Sequence, residues 1–490
     1  MAEHLQGLVR WLSAQGVTSY LVGGCVRDLI LERPSHDLDV IVAGDALSVG
    51  RRLADHFHGA FYILDAGRGA ARVLLPAGKE RPHPRPLSYE ERGDYQERGD
   101  RQERGEPPNA GEVDFTRLLD DDLYRDLAAR DFTLNAMALP VGESGEWGPL
   151  IDPHGGQDDL LRKRLRAVSA TAFQSDPIRV LRAVRLAHEL GLSVESQTAA
   201  LAREAVPLLA QISAERIRDE LCRLLDLSPV APPVKHLSDW GAWWPVTGQA
   251  AGSGPAIEVF QAWDALWAAG AGATPFDAEA LALLRQALDP YREKLASRLA
   301  GAVVNRRSRG TLLKWAALLL RADGSHAGLE VPLGRFRFSN TEIRRVKMAV
   351  ESLARPPEWL RQGTVSRPEL HRFYRRAGDC GPEALLLTLC LALTRPPEVA
   401  LGGHGEWRAA VETLAGLVGT AWAAYFTSYD SIVAPPRLLD GTALMARFGL
   451  AQGPQIRELL EQVQEAQAAG TITTSDEALR WVERRVTSTS

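Results

Sequence analysis

The chain is poor in cysteine. Its four thiols, Cys25, Cys222, Cys380 and Cys390, are too scattered among 490 residues for a zinc site or a disulfide framework. A reducing, cytoplasmic setting suits that usage. No secretory apolar core opens the chain, and no apolar run reaches the roughly 18 residues of a membrane span, so no membrane partner is expected. There is no excess of positive charge either. With 57 Lys and Arg against 62 Asp and Glu, the net charge is −5, which excludes a uniformly basic nucleic-acid coat and confines any RNA contact to a local patch. What the chain does have is length and apolar content: 45% of 490 residues are hydrophobic. Single cores seldom grow past roughly 250 to 300 residues, so several domains are expected.

The stretch Tyr20 to Asp45 organises the rest. Tyr20, Leu21 and Val22 read as a buried strand ending at Gly23 and Gly24, where the backbone can approach a ligand such as a triphosphate closely. A helical turn carrying Arg27 and Asp28 leads to a second strand, Asp37 to Val42. Side chains alternate along a strand, so Asp37 and Asp39 share one face while Leu38 and Val40 enter the core. A bare D-x-D is most often a solvated strand end. With G-G-x-x-R-D ahead of it, the pair reads as hard oxygen ligands of the kind magnesium prefers.

Residues 2–14 read as an amphipathic helix, 45–56 as another, and 60–64 and 70–75 as strands. A mixed sheet with helices on one face is the simplest assembly. Composition then changes. Residues 78–111 carry three near-repeats, EERGDY, QERGDR and QERGEP, with acids balancing arginines and almost nothing apolar to bury, so a mobile insertion is expected. Order returns at Val113 to Thr116. As the next strand it would place Asp114 beside Asp37 and Asp39; an ordinary exposed acid is the alternative.

Three further segments follow: Arg130-Asp-Phe-Thr-Leu-Asn-Ala136, Asp152-Pro-His-Gly-Gly156 with Asp159-Leu160, and Ser175-Asp-Pro-Ile-Arg-Val-Leu-Arg182. Together with the opening stretch they resemble the nucleotidyltransferases of the DNA polymerase β superfamily. Within it they are similar to the bacterial tRNA nucleotidyltransferases, which add CCA, CC or A, and to the related bacterial poly(A) polymerases. The likeness runs from about Leu21 to Leu225 and continues more weakly beyond.

The resemblance implies roles. Gly23, Gly24, Arg27 and Arg130 would bind a triphosphate, and Asp131 or Asn135 a ribose hydroxyl. On a helix Asp131 and Asn135 would share a face opposite Phe132, Ala136 and Leu139. Asp37, Asp39 and, as a third carboxylate, Asp114 would hold two magnesium ions. Asp176 and Arg179 would read the base of CTP or ATP, with Arg182 and Arg185 along the same row. Pro177 at a first helical position also makes Asp176 a natural N-cap. Arg162, Lys163, Arg164 and Arg166 join these arginines in a basic stretch suited to triphosphate and an RNA end. Asp152 and the glycines after it read as a structural turn, and Ser213 as the cap of a bracing helix. Lys314 to Asp323 looks like a degenerate, metal-free form of an HD-type helix.

Two departures stand out: Ala129 replaces the first arginine of the second motif, and Ser175 stands where relatives often have Glu. Arg117 to Tyr124 leads almost directly into the second motif, without the basic, histidine-containing loop frequent in enzymes that add all of CCA. That resembles enzymes adding only the two cytidines.

The expected architecture is α+β. A polymerase-β-type head with a mixed sheet spans 1–140, a helical neck 141–228, and a helical body and tail 229–490. The expected activity is addition of C, A or both to a tRNA 3′ end from CTP and ATP, without a template and with release of pyrophosphate. The tRNA would be held by its acceptor end and elbow, and no protein partner is implied. Two rivals stay open, a poly(A) polymerase and a catalytically silent RNA-binding protein.

Overall fold

The computed structural model describes residues 2–34, 37–76, 111–142, 145–243, 257–268, 274–304, 307–320, 330–394 and 404–487. The 78–111 insertion lies outside the described residues but for Gly111, as does Asp323. The chain divides into two compact units, Met1–Leu208 and Leu209–Ser490, so the division falls inside the stretch expected as the neck.

In the first unit, α1 (Ala2–Ala14) buries Leu8, Val9, Trp11 and Leu12. Strand β1 (Ser19–Val22) runs into Gly23, and α2 (Gly24–Ile30) starts at once. Next come β2 (Asp37–Val42), α3 (Ala46–Phe57), β3 (Ala60–Asp65), β4 (Ala70–Leu74), β5 (Glu112–Arg117), α4 (Leu123–Ala128) and β6 (Ala138–Pro140). The six strands form one mixed sheet in the order β3-β4-β5-β2-β1-β6. The β2–β5 pair is parallel, and the other pairs are antiparallel.

Strand alternation gives the sheet two faces. On one, the buried Val40, Ala71, Val73, Val113 and Phe115 meet α3. The helix packs so closely that a Cβ at Gly50 would stand 3.2 Å from the rings of both Phe61 and Phe115. On the other face, Val22 and Ile41 pack with Leu118, Leu123 and Leu127 at the β1–β2 end. Helices therefore cover parts of both faces rather than one, because Leu123 and Leu127 stand four apart on α4 and make an apolar stripe that needs burial. The rest of that second face carries charge.

Beyond β6 the unit adds α5 (Gly156–Leu161), a two-stranded pairing of β7 (Arg164–Leu165) with β8 (Ser193–Val194), α6 (Ala172–Ser175), α7 (Arg179–Leu190) and α8 (Ser196–Ala205).

The second unit, among its described residues, is helical apart from a short hairpin of Ala302–Val304 with Arg307–Ser308. Its first helix, Ala214–Leu225, buries Ile217, Leu221, Leu224 and Leu225; Ser213 holds the N-cap position without the side-chain cap bond that its sequence predicts. Trp315, Phe336 and Trp422 are fully buried. The helices Gly441–Phe448, Pro454–Ala468 and Ser475–Thr487 enclose a separate core around Leu444, Val463 and Val482. Arg367–Thr394 and Trp407–Thr427 are long and apolar enough to cross a membrane by length and composition alone, but 72% and 50% of their most apolar windows are buried inside the protein, as interior helices are. All four cysteines are buried and free.

Candidate active site

The charged face of the sheet carries one row of registered residues. Tyr62 on β3 pairs with Arg72 on β4, Arg72 with Asp114 on β5, Asp114 with Asp39 on β2, and Asp39 with Val22 on β1. Paired residues on neighbouring strands project to the same side, so Asp39 and Asp114 stand side by side, the first of the two arrangements open to Asp114. Asp37 opens β2 in register with Glu112; its side chain lies outside the described residues.

Gly23 borders this row. Its φ of 80° and ψ of −143° are strained for a residue with a side chain. A Cβ here would also lie 2.9 Å from Nη1 of Arg130 and 3.0 Å from Oδ2 of Asp39. The glycine therefore lets a cation and a carboxylate close on the backbone. Arg130 donates to Asp126 at 3.3 Å, and its Nε–H is buried without a partner. Cys25, just behind, donates to Val22 O; burial, then the nearby Asp39 charge, push its thiol up to about 12, so it stays protonated.

A second group connects to this one through the backbone. Arg27 is buried and donates to Asp28 and, at 2.9 Å, to Oδ1 of Asn135. Asn135 donates to Oδ1 of Asp131 at 3.0 Å, and Arg182 pairs with Oδ2 of Asp131 at 2.9 Å. Burial works to raise the Asp131 carboxyl, but Arg182, the Asn135 amide and the Phe132 N–H outweigh it and hold it below the usual carboxylate range.

The helix predicted over Asp131 to Leu139 does not form. Helix α4 stops at Ala128, Phe132 is extended and bridges Ala167, and Thr133–Asn135 make a single 3₁₀ turn before β6. The Asp131 carboxylate takes the Phe132 N–H at 2.8 Å, offering the backbone a local alternative to a helix. The tight turn still brings Asp131 and Asn135 together.

Helix α7 is docked onto the same segment. Arg179 donates to the carbonyls of Ala129 at 2.7 Å, Arg130 at 3.0 Å and Ala172 at 3.1 Å. Arg185 is buried and paired with Glu189. Asp176 does not take the cap position. The helix begins at Arg179, with Ile178 immediately before it, and the extended Asp176 (φ −152°) gives its backbone carbonyl to Arg179 N–H. Pro177 and Ile178 form a turn that the residue pattern alone made look like the first helical turn.

The basic stretch is largely neutralised. Arg162 pairs with Asp158, and the fully buried Asp159 accepts from Arg164 at 2.6 Å, Arg166 at 2.8 Å and Thr133 at 2.7 Å. Asp152 caps α5 by accepting from the Gly156 and Gln157 N–H groups, the structural role expected. The sequence reading gave no role to Asp159, Asp126 or Arg72. Arg72 grips Asp114 with two 2.8 Å bonds and Glu112 at 3.0 Å.

Among the described residues no three His, Cys, Asp or Glu side chains form a ready metal cage. Magnesium needs none, since it keeps several waters and takes one or two carboxylates plus substrate phosphates. Asp39 and Asp114 on adjacent strands, with hard oxygen donors, fit that requirement.

A mixed sheet with registered carboxylates beside a glycine turn, leading into helices, defines a polymerase-β-type nucleotidyltransferase head. Residues 19–166 match the poly(A) polymerase head domain, and residues 191–243 match the probable RNA- and SrmB-binding site of polymerase A. The CC-adding tRNA nucleotidyltransferase of Geobacter sulfurreducens is 31% identical over 473 residues, covering 96% of this chain and 92% of that protein. With these matches, the chain belongs to the bacterial tRNA nucleotidyltransferase and poly(A) polymerase family, a family of nucleotide-transferring enzymes. The A-adding tRNA nucleotidyltransferase of Deinococcus radiodurans is 28% identical over 494 residues, covering 95% of this chain and 94% of that one. The Thermotoga maritima CCA-adding enzyme complexed with tRNA has the same fold, with a TM-score of 0.61 at 18% identity over 99% of this chain and 95% of that one.

Proposed function

We propose that this enzyme adds cytidines to the 3′ end of tRNA from CTP, without a nucleic-acid template, and releases pyrophosphate. The observation that carries the reading is the Asp39–Asp114 register beside Gly23 and Arg130. Asp37 and Asp39, with Asp114 next to them, would hold two magnesium ions. Such ions lower the pKa of the attacking 3′ hydroxyl and neutralise charge on the leaving pyrophosphate.

The protein's own part is placement. Gly23 and Gly24 let the triphosphate approach the backbone, and Arg130, with its buried unsatisfied N–H, supplies positive charge there. Arg27 fixes Asn135, which with Asp131 forms a polar pair for a ribose hydroxyl. Arg179 donates to the Ala129 and Arg130 carbonyls, which supports the reading in which Arg179, with Asp176 three residues before it, reads the base. Addition of two cytidines is favoured by the Geobacter relative and by the direct run from β5 into α4. The Deinococcus relative supports a second reading, addition of the terminal A. Incubating tRNA ending before CCA, and tRNA ending in CC, with CTP or ATP separates them. Growth of the first by two residues with CTP supports CC addition, and growth of the second by one residue with ATP supports A addition.

A further inference from the structure

The proposed function gives Asp114 no condition on its use, and the row of residues supplies one. Arg72 faces Asp114 directly across β4 and β5, and its fork takes both carboxylate oxygens at 2.8 Å. Its remaining nitrogen reaches the buried Glu112 at 3.0 Å. A bidentate guanidinium is among the strongest partners a carboxylate finds among side chains; it takes one lone pair on each oxygen and sets a positive charge against any incoming cation.

We propose that Arg72 is a positioning residue that withholds Asp114 from the divalent cation. In the nucleotide-free protein Asp39 holds the ion, and Asp114 becomes a ligand only when Arg72 is drawn off it. This inference rests on the metal-binding reading above. Arg72 thereby sets how many carboxylates the head offers an ion before substrate arrives. Glu112 serves as its second anchor.

Manganese binding to the nucleotide-free protein, followed by electron paramagnetic resonance, tests this without any turnover. Removing Arg72 alone would take from the buried Glu112 its ion pair with that arginine, so the informative variant is Arg72→Met with Glu112→Gln. That pair of changes removes one positive and one negative charge, and thermal unfolding verifies that it folds. Releasing Asp114 in it should tighten manganese binding about tenfold or more, the scale on which partners of metal ligands act. Adding Asp114→Asn to the double variant should return affinity to the wild-type level, and Asp114→Asn alone should leave it unchanged. Unchanged or weaker binding by the double variant, or a loss caused by Asp114→Asn alone, would overturn the role given to Arg72. Asp39→Ala separates the two readings. If it abolishes manganese binding while the double variant fails to tighten it, only Arg72's role falls; if it has no effect, the metal site itself is wrong.

Discussion

Gly23 is the residue on which the site's geometry turns. Its positive φ and the Arg130 and Asp39 atoms within 3.0 Å of a would-be Cβ leave no room for alanine. Gly23→Ala should cost about 1–3 kcal/mol in backbone strain and displace Asp39 or Arg130. Denaturant unfolding should show the first, and a rise in KM for CTP with a fall in kcat the second. Asp131 gives a pH signature. Its folded carboxyl titrates below the unfolded value of about 3.9, so its stabilisation is complete above that pH and is lost as pH falls through the folded pKa. Thermal stability should therefore drop on acidification below about pH 4, by the linkage slope for one proton, and Asp131→Asn should flatten that slope. The acids at the start of β2 and Gly23 were legible in the sequence because strand parity and a glycine pair are local signals. The Arg72–Asp114 fork was not, because pairing between β4 and β5 spans the long insertion and no local pattern reports it.

At the scale of elements, the second motif shows where periodicity misleads. Spacing of four between Asp131 and Asn135 suits a helix, yet the segment is an extended residue and a 3₁₀ turn held by Asp131 to Phe132 N–H and by Thr133 N–H to Arg166 O. Side-chain competition for backbone N–H groups and pairing with a distant strand residue won over helical spacing. Gly156 marks how tightly that turn is packed, since a Cβ there would lie 2.3 Å from the Thr133 carbonyl oxygen. Gly156→Ala should destabilise the first unit by at least about 2 kcal/mol, the range of backbone clashes at buried sites, as measured by a fall in its denaturation midpoint. Helix α7 is held by Arg179, which makes three hydrogen bonds to backbone carbonyls and one to Ser175. Arg179→Ala should cost about 1–3 kcal/mol of stability. If Arg179 also reads the base, selectivity for CTP over ATP should fall beyond what the stability loss produces, and Arg179→Lys should recover stability better than selectivity.

At the scale of the whole molecule, the α+β head and the helical remainder followed from the motif order and the family resemblance. The division of the chain near Leu208, and the burial of two membrane-length helices, did not. Both depend on which apolar faces find each other across long stretches of sequence. The most direct measurement is incorporation of labelled CTP into tRNA lacking its CCA end, in magnesium, resolved to single nucleotides on a gel. Two added cytidines and no further growth are expected, with loss of at least about a thousandfold in rate for Asp39→Ala, the scale of electrostatic terms in phosphoryl transfer. No incorporation by the wild-type enzyme, a long tail made from ATP, or an Asp39→Ala variant as active as the wild type would contradict it.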